Sequence, residues 1–473
     1  MILLIVWDGL RPDMLSPENT PFVWEVAHRG VVCQAGHSVF PTSTRVNSAS
    51  LATGCYPGRH GIVDNALYVP VYDSLESFSC GHWGALEMMA RAEGRRVLDP
   101  PTLGEVLRSA GKRMACAGSG SQGTIHLADP TTTGPVVNWS TAWPTVTREE
   151  ITRCCGPFLG PESTPSERYR FILRTALDYL VPEHNPDVLT IWLAEPDTTQ
   201  HKRGLGSPES MAVLAQLDLQ LDYFLHSLAN RCGRDGLTCL FLSDHGYSTI
   251  SAPKDPEQAL AAAGFEEFLD AGDIIRTPNS LYIRRRARER LRDVVRFLEG
   301  EPWIGALLVR DDLLDVCPGA MPQSAAFGGH RRSAEIMFGY QWSDAENIHG
   351  VPGSVFSASK RNVATHGSAS PYDIHNCLAA WGRGIKRGVI SRVPCGYVDV
   401  APTVLHLLGI DPPASMDGRA LTELIEGGPD PDSMTVSHHT RETVHGTGAG
   451  ARRQVALYSE VEGHRYLDRV TFG

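Results

Sequence analysis

Apolar residues along this chain come in short, nearly unbroken runs, separated by stretches that alternate with a helical period. The runs are I-L-L-I-V (2–6), R-M-A-C-A (113–117), V-L-T-I-W-L-A (188–194) and L-T-C-L-F-L-S (237–243). A strand with one wet face alternates apolar and polar residues, so runs this uniform predict a parallel sheet covered on both faces. The helices between them have readable ends. One starts at Thr20-Pro21 and stops at Gly30, another ends at Gly111, and residues 208–230 form a long amphipathic helix ahead of the 237 strand. Strand and helix in alternation predict an α/β fold, with a doubly wound, mostly parallel central sheet flanked by helices.

Three stretches break the rhythm, about 63–100, 119–165 and 250–350, and are rich in Pro, Gly, Ser and aromatics. They are expected to be insertions that cap one end of the sheet, within a single domain spanning 1–473. Near the C-terminus, V-A-L-Y-S-E-V-E-G-H-R-Y-L-D-R-V-T-F predicts a hairpin turning near Gly463.

Composition narrows the partners. The 473 residues can bury a large core, and 43 Lys+Arg against 54 Asp+Glu leave a net charge of −11. No Lys/Arg run offers a footprint for duplex nucleic acid, so an anionic substrate must be held by a local device such as a metal. The 11 cysteines are an odd number without C-x-x-C spacing, and Cys154 and Cys155 are adjacent. Reduced thiols in a cytoplasmic protein are expected. The apolar start M-I-L-L-I-V-W is far short of the about 20 residues of a membrane span, and no membrane partner is expected.

The positions just past the predicted strands carry the chemistry. I-L-L-I-V-W ends in Asp8, V-L-T-I-W-L-A-E-P leads to Asp197 with His201 four residues on, and L-T-C-L-F-L-S ends in Asp244-His245-Gly246. On a helix Asp197 and His201 share a face and can grip one ion. His366, in a polar N-V-A-T-H-G-S segment, is a further candidate. A single such residue reads most simply as a turn or surface group. Together, three acids and three histidines supply ligands for two metals, and carboxylate with imidazole suits zinc or a similar ion. Thr44 stands before a short helical segment, where it could cap the helix and, with its pKa lowered by a metal, attack as a nucleophile. Gly118, Gly120 and Gly123 spell G-x-G-x-x-G after a strand. T-I-H-L-A-D-P follows rather than a clear helix, so dinucleotide binding is not expected.

These motifs resemble the alkaline phosphatase superfamily and, within it, the type I phosphodiesterase/nucleotide pyrophosphatase branch. The resemblance rests on Pro41-Thr42-x-Thr44, Asn47, Leu51, Thr53-Gly54, Tyr56-Pro57 and His60-Gly61-Ile62. It continues through E-P-D-x-x-x-H (Glu195 to His201), D-H-G (Asp244 to Gly246), His366-Gly367 and Met416 to Arg419. It implies an alkaline phosphatase-like fold and two zinc ions, one held by Asp197, His201 and His366, the other by Asp8, Thr44, Asp244 and His245. It also implies in-line attack by Thr44 on a phosphodiester or pyrophosphate, through a phospho-threonine, with Asn47 donating its amide to a phosphoryl oxygen. Phosphonoacetate-type C–P hydrolases and phosphomonoesterases share this ligand set and are alternatives, as is a metal-binding protein without catalysis. Cys55 opens C-x-P-x-R, which resembles the sulfatase formylglycine pattern. In sulfatases the modified cysteine precedes the T-G glycine by ten residues, and ten before Gly54 is Thr44. Arg45 replaces the aromatic that the nucleotide pyrophosphatases carry after the nucleophile, which implies a substrate with an additional negative charge. The expected partner is a small anionic phosphorus compound.

Overall fold

The structure, a computed structural model, describes residues 1–72, 75–232, 236–445 and 451–473. Its centre is a nine-stranded sheet: β1 (Ile2–Trp7), β2 (Val31–Cys33), β3 (Met114–Gly118), β4 (Val136–Asn138), β5 (Thr141–Trp143), β6 (Val188–Leu193), β7 (Thr238–Leu242), β8 (Leu378–Gly382) and β9 (Val389–Ser391). The order is β9-β2-β8-β7-β1-β6-β3-β4-β5. β1 lies between β6 and β7 and is parallel to both, with Ile2 opposite Val188 on one side and Thr238 on the other. β8 and β5 run antiparallel to their neighbours, so the sheet is mostly parallel, as expected.

Helices α1 (Pro21–Arg29), α2 (Thr44–Thr53), α3 (Leu103–Ser109), α4 (Gln122–Ala128), α5 (Asp197–Arg203), α6 (Pro208–Cys232) and α7 (Val400–Leu407) flank it. The uniformity of the strand runs now has its reason. Along β1, Leu3, Ile5 and Trp7 face one core with Val23 of α1 and Leu221 and Leu228 of α6. Ile2, Leu4 and Val6 face a second core with Leu51 of α2, Leu107 of α3 and Val404 of α7. Every β1 side chain is buried, which removes the alternation a half-wet strand would show.

The irregular stretches take different places. Residues 63–100 hold the short pair Ala66–Leu67 and Phe78–Ser79 with a helix at Trp83–Glu93. Within 250–350 lies a separate five-stranded sheet built from Ile274–Thr277, Ser280–Ile283, Ile304–Val309, Met321–Pro322 and Ile336–Tyr340, with its own apolar core. Residues 119–165, expected as an insertion, instead supply β4 and β5 to the edge of the central sheet. The C-terminal hairpin pairs Arg452–Val461 with His464–Phe472, and a third strand, Val436–His445, joins its outer edge. Among the described residues no helix is long and apolar enough to cross a membrane.

Candidate active site

Asp8 follows β1 directly, Asp197 opens α5 after β6, and Asp244 and His245 follow β7. Three adjacent parallel strands thus deliver their carboxyl ends to one place, where open α/β sheets hold ligands. The backbone has to bend sharply there. Gly9 takes φ +70°, and a Cβ on it would stand 3.1 Å from the Asp197 Cβ; a Cβ on Gly246 would stand 2.0 Å from the Tyr372 carbonyl oxygen. With glycine at both turns, the Gly9 N–H donates to Asp244 Oδ1 at 3.0 Å and the Asp197 N–H to the Asp8 carbonyl at 3.0 Å.

His366 arrives from distant sequence, and all three histidines are oriented alike. Nδ1 of His201 meets the Ala364 carbonyl at 2.9 Å, that of His366 the Thr42 carbonyl at 2.7 Å, and that of His245 the Gly246 carbonyl at 2.9 Å. An Nδ1–H that donates to a carbonyl leaves Nε2 with a free lone pair. Those Nε2 atoms face carboxylates. His201 and His366 lie 3.3 and 3.5 Å from Asp197 Oδ1, and His245 lies 3.5 Å from Asp8 Oδ1 and 3.2 Å from Asp244 Oδ2. These same three oxygens are buried and have no hydrogen-bond partner among the described residues. Lone pairs facing one another at that distance need a proton or a cation between them, and an unpaired buried oxygen costs about 1–3 kcal/mol. The donor set, imidazole nitrogen with carboxylate oxygen, fits zinc and similar first-row ions.

Two groups of donor atoms lie within 4.8 Å of one another: Asp197 with His201 and His366, and Asp8 with Asp197 and His245. Asp197 therefore stands in both groups, where the family resemblance implies the first alone. Asp244 reaches the second group through its contact with His245.

Charge is unevenly shared. Burial, then repulsion from Asp244 and Asp197, pushes the Asp8 carboxyl well above its usual range, and burial raises Asp244 to about 7. Burial also acts upward on Asp197, but His201, His366 and His245 outweigh it and hold that carboxyl below the ordinary range. Burial opposes charge on His201, yet Asp197 wins and lifts it to about 9; His366, buried beside His245, is pushed well below its ordinary value.

Thr44 is the first residue of α2, and Ser43 occupies the capping position that the sequence suggested for Thr44 itself. The Thr44 hydroxyl lies 3.3 Å from His245 Nε2 and is 4% exposed. Asn47 is not placed as expected. Its Oδ1 accepts from the Val39 N–H at 3.1 Å and its Nδ2 donates to the Ser43 carbonyl at 3.2 Å, so its amide braces the start of α2. Asn65, which no motif in the sequence marked, meets the backbone next to Thr44 instead. The N–H of Arg45, next to Thr44, donates to Asn65 Oδ1 at 3.1 Å, and nothing among the described residues accepts from Asn65 Nδ2. Arg45 is half-buried, with Nη2 donating to Ser121 Oγ at 3.2 Å.

Cys55 lies beyond the other end of α2, about 15 Å away by helical rise. Its thiol donates to the Thr53 and Ser415 carbonyls, and burial, then Asp417, pushes it up to about 12. That is an inert structural thiol. The G-x-G-x-x-G stretch does run into a helix, α4, contrary to the sequence reading. Gly123 there serves packing, since a Cβ on it would stand 1.9 Å from the Cys80 carbonyl oxygen. A cavity of about 760 Å³ lies apart from all these residues and is lined by Phe22, Trp381 and Arg383 among others.

A family model described as Type I phosphodiesterase / nucleotide pyrophosphatase matches residues 2–337. The chain belongs to that family. Among relatives, this phosphodiesterase-family chain is 22% identical over 441 residues to human ectonucleotide pyrophosphatase/phosphodiesterase family member 7, covering 89% of the chain and 82% of the relative. It is 26% identical over 261 residues to venom phosphodiesterase 2 of Crotalus adamanteus, and that match covers 54% of the chain and 27% of the venom protein. The alkaline phosphatase PafA of Elizabethkingia meningoseptica is also 26% identical, over 50% of the chain and 46% of its own length. The structure of murine ectonucleotide pyrophosphatase/phosphodiesterase 5 shares the fold, with a TM-score of 0.63 at 17% identity, covering 90% of this chain and all of that one. A second structure of that murine protein is of an inactive threonine-to-alanine form in complex with AMP, with a TM-score of 0.60 at 17% identity over 87% of this chain and 96% of that one.

Proposed function

We propose that this phosphodiesterase-family chain hydrolyses phosphodiester or pyrophosphate bonds, with Thr44 as nucleophile beside two divalent ions, zinc by the chemistry of the donor set. One observation carries the reading: three buried carboxylate oxygens, without hydrogen-bond partners among the described residues, face three oriented Nε2 atoms, and the Thr44 hydroxyl lies 3.3 Å from one of those nitrogens, that of His245. Asp197, His201 and His366 would hold one ion, and Asp8, Asp244, His245 and Thr44 the other, with Asp197 close to both. When bound, such ions lower the pKa of a hydroxyl and neutralise charge on a phosphoryl group. Thr44 Oγ1 forms a bond to phosphorus as the bond to the leaving oxygen breaks opposite it, and water then cleaves the phospho-threonine ester. Asn65, with Oδ1 fixed by the Arg45 N–H, turns its Nδ2 to a non-bridging phosphoryl oxygen, the role the sequence suggested for Asn47. The AMP complex of the murine relative, made with a threonine-to-alanine form described as inactive, supports both a threonine and a phosphorus-containing ligand.

The test is turnover of bis-p-nitrophenyl phosphate and p-nitrophenyl phosphate by zinc-supplemented protein. The diester is expected to be the better substrate, and Thr44→Ala to lose several orders of magnitude on it, as loss of a nucleophile does elsewhere. Equal activity of wild type and Thr44→Ala would sink the reading.

A further inference from the structure

Arg45, half-buried, differs from the three fully buried arginines among the described residues in what it is bonded to. Arg332 donates to Glu93 and to the Val97 and Arg96 carbonyls, Arg419 to both oxygens of Glu423, and Arg11 to Asp13 and to the Tyr247 and Pro352 carbonyls. Each has a carboxylate to balance its charge. Arg45 has none among the described residues. Its single side-chain partner is the neutral Ser121 hydroxyl at 3.2 Å, and its Nε is buried with no acceptor. A half-buried guanidinium without a counter-charge is unfavourable, and a chain with a net charge of −11 has carboxylates to spare for it.

The position of this uncompensated charge is informative. Arg45 follows Thr44 directly, and its own N–H fixes Asn65, so its backbone is part of the frame around the hydroxyl. Its guanidinium reaches toward Ser121, which caps α4 just past the carboxyl end of β3. β3 is the neighbour of β6, and β6 leads to Asp197. Arg45 and Ser121 therefore stand on the same rim of the sheet as the candidate metal ligands, displaced toward β3. Gly81 lies against this pair without a side chain, and a Cβ there would stand 3.4 Å from Arg45 Nη2 and from Ser121 Oγ. A guanidinium pairs with carboxylate or phosphate oxygens through two parallel hydrogen bonds, and the Ser121 hydroxyl, which accepts from the Thr124 N–H and lies 2.8 Å from Thr124 Oγ1, can turn from that hydroxyl to supply a third.

We propose that Arg45 and Ser121 form a subsite for a second anionic group, so that the natural substrate is a phosphorus ester carrying a further carboxylate or phosphate close to the phosphorus attacked. This rests on reading Thr44 as the group that attacks. The charge left unbalanced in the free protein is balanced by the substrate, and a substrate lacking the second anion leaves it unpaired. Discrimination of this kind comes from a polar group that only the right ligand satisfies.

The experiment uses two matched pairs on zinc-supplemented protein. Calorimetry compares propylphosphonate with 3-phosphonopropionate, which differ by one terminal carboxylate. Kinetics compares the p-nitrophenyl esters of the same two phosphonates, which share a leaving group. Wild type is expected to favour the carboxylated member of each pair by about tenfold or more, and Arg45→Ala to remove that preference while sparing the member without the carboxylate. Arg45→Lys should keep part of it, and Ser121→Ala should weaken it by a smaller factor. Equal losses on both members would overturn the subsite and leave Arg45 acting at the shared phosphoryl group. The absence of a carboxylate preference in the wild type, or its persistence in Arg45→Ala, would overturn it too. Binding that discriminates without any turnover supports the subsite and overturns the proposed hydrolysis instead, so the two failures are distinguishable.

Discussion

Asn65 and Asn47 differ in what their amides are free to do, and that difference is open to experiment. Asn47 spends both ends of its amide on backbone around α2, so Asn47→Ala should lower thermal stability. Asn65 spends only its oxygen. Asn65→Ala should therefore cost about 10²–10³ in kcat, the usual effect of removing one donor to a developing charge, with little change in melting temperature. Cys55→Ala should leave activity intact, because a thiol held near 12 and bonded to two carbonyls takes no part in attack. Formylglycine at position 55 in the mass spectrum, with activity depending on it, would reverse that assignment. At this scale much of the candidate site was legible in the sequence, because an acid directly after a uniform apolar run falls at a strand end whatever the tertiary details. Asn65 was not legible. It follows H-G-I-V-D in a stretch without period, and only the folded chain brings it against the Arg45 N–H. The place of Asp197 in both donor groups is likewise a tertiary fact.

Between elements, one carboxylate joins the small sheet of residues 274–340 to the rim of the site. Asp64 is fully buried. Its Oδ2 accepts from Thr277 Oγ1 at 2.6 Å and the Asn279 N–H at 2.8 Å, and its Oδ1 accepts from the Asn65 N–H at 2.7 Å. Asn279 continues the path by donating Nδ2 to the Gly367 carbonyl at 2.9 Å, one residue from His366. Asp64→Asn puts an amide where only acceptors fit, so it should loosen Asn65 and lower kcat while substrate still binds. It should also change how stability responds to pH. Burial, partly offset by Thr277 and Asn279, lifts the folded Asp64 to about 6, above its unfolded value, so the folded state holds this proton more tightly. The stability this provides is full below pH 4 and lost as pH rises through 6. Unfolding free energies of wild type and Asp64→Asn, compared across that window, should converge as pH rises; parallel curves would contradict the assignment. The elements themselves were legible in proportion to their length. β1, β3, β6, β7, α1 and α6 are legible to within a residue or two, because each is long enough to show either an unbroken apolar run or a helical pattern with clear ends. The three-residue strands β2, β4, β5 and β9 carry too few positions to do so, and α4 was missed because its seven residues are almost all buried and show no polar face.

For the molecule as a whole, the orphaned oxygens make stability a function of ion occupancy. Exhaustive chelation should lower the melting temperature, and zinc, rather than magnesium, should restore it, by about 2.7 kcal/mol at a hundred times the dissociation constant. An unchanged melting temperature would show that the cluster holds no ion. The central place of β1 has a different consequence, which concerns how the protein is made. The strand that carries Asp8 pairs with residues 188–193 on one side and 238–242 on the other, so both of its edges stay open until those residues have been synthesised. In that interval I-L-L-I-V-W is an apolar ribbon without charge or proline, well suited to pairing with another chain. Contacts this far apart in sequence also slow refolding. Recovery of the enzyme from denaturant should therefore fall as protein concentration rises, and newly made chains should depend on chaperones that shield an early apolar strand.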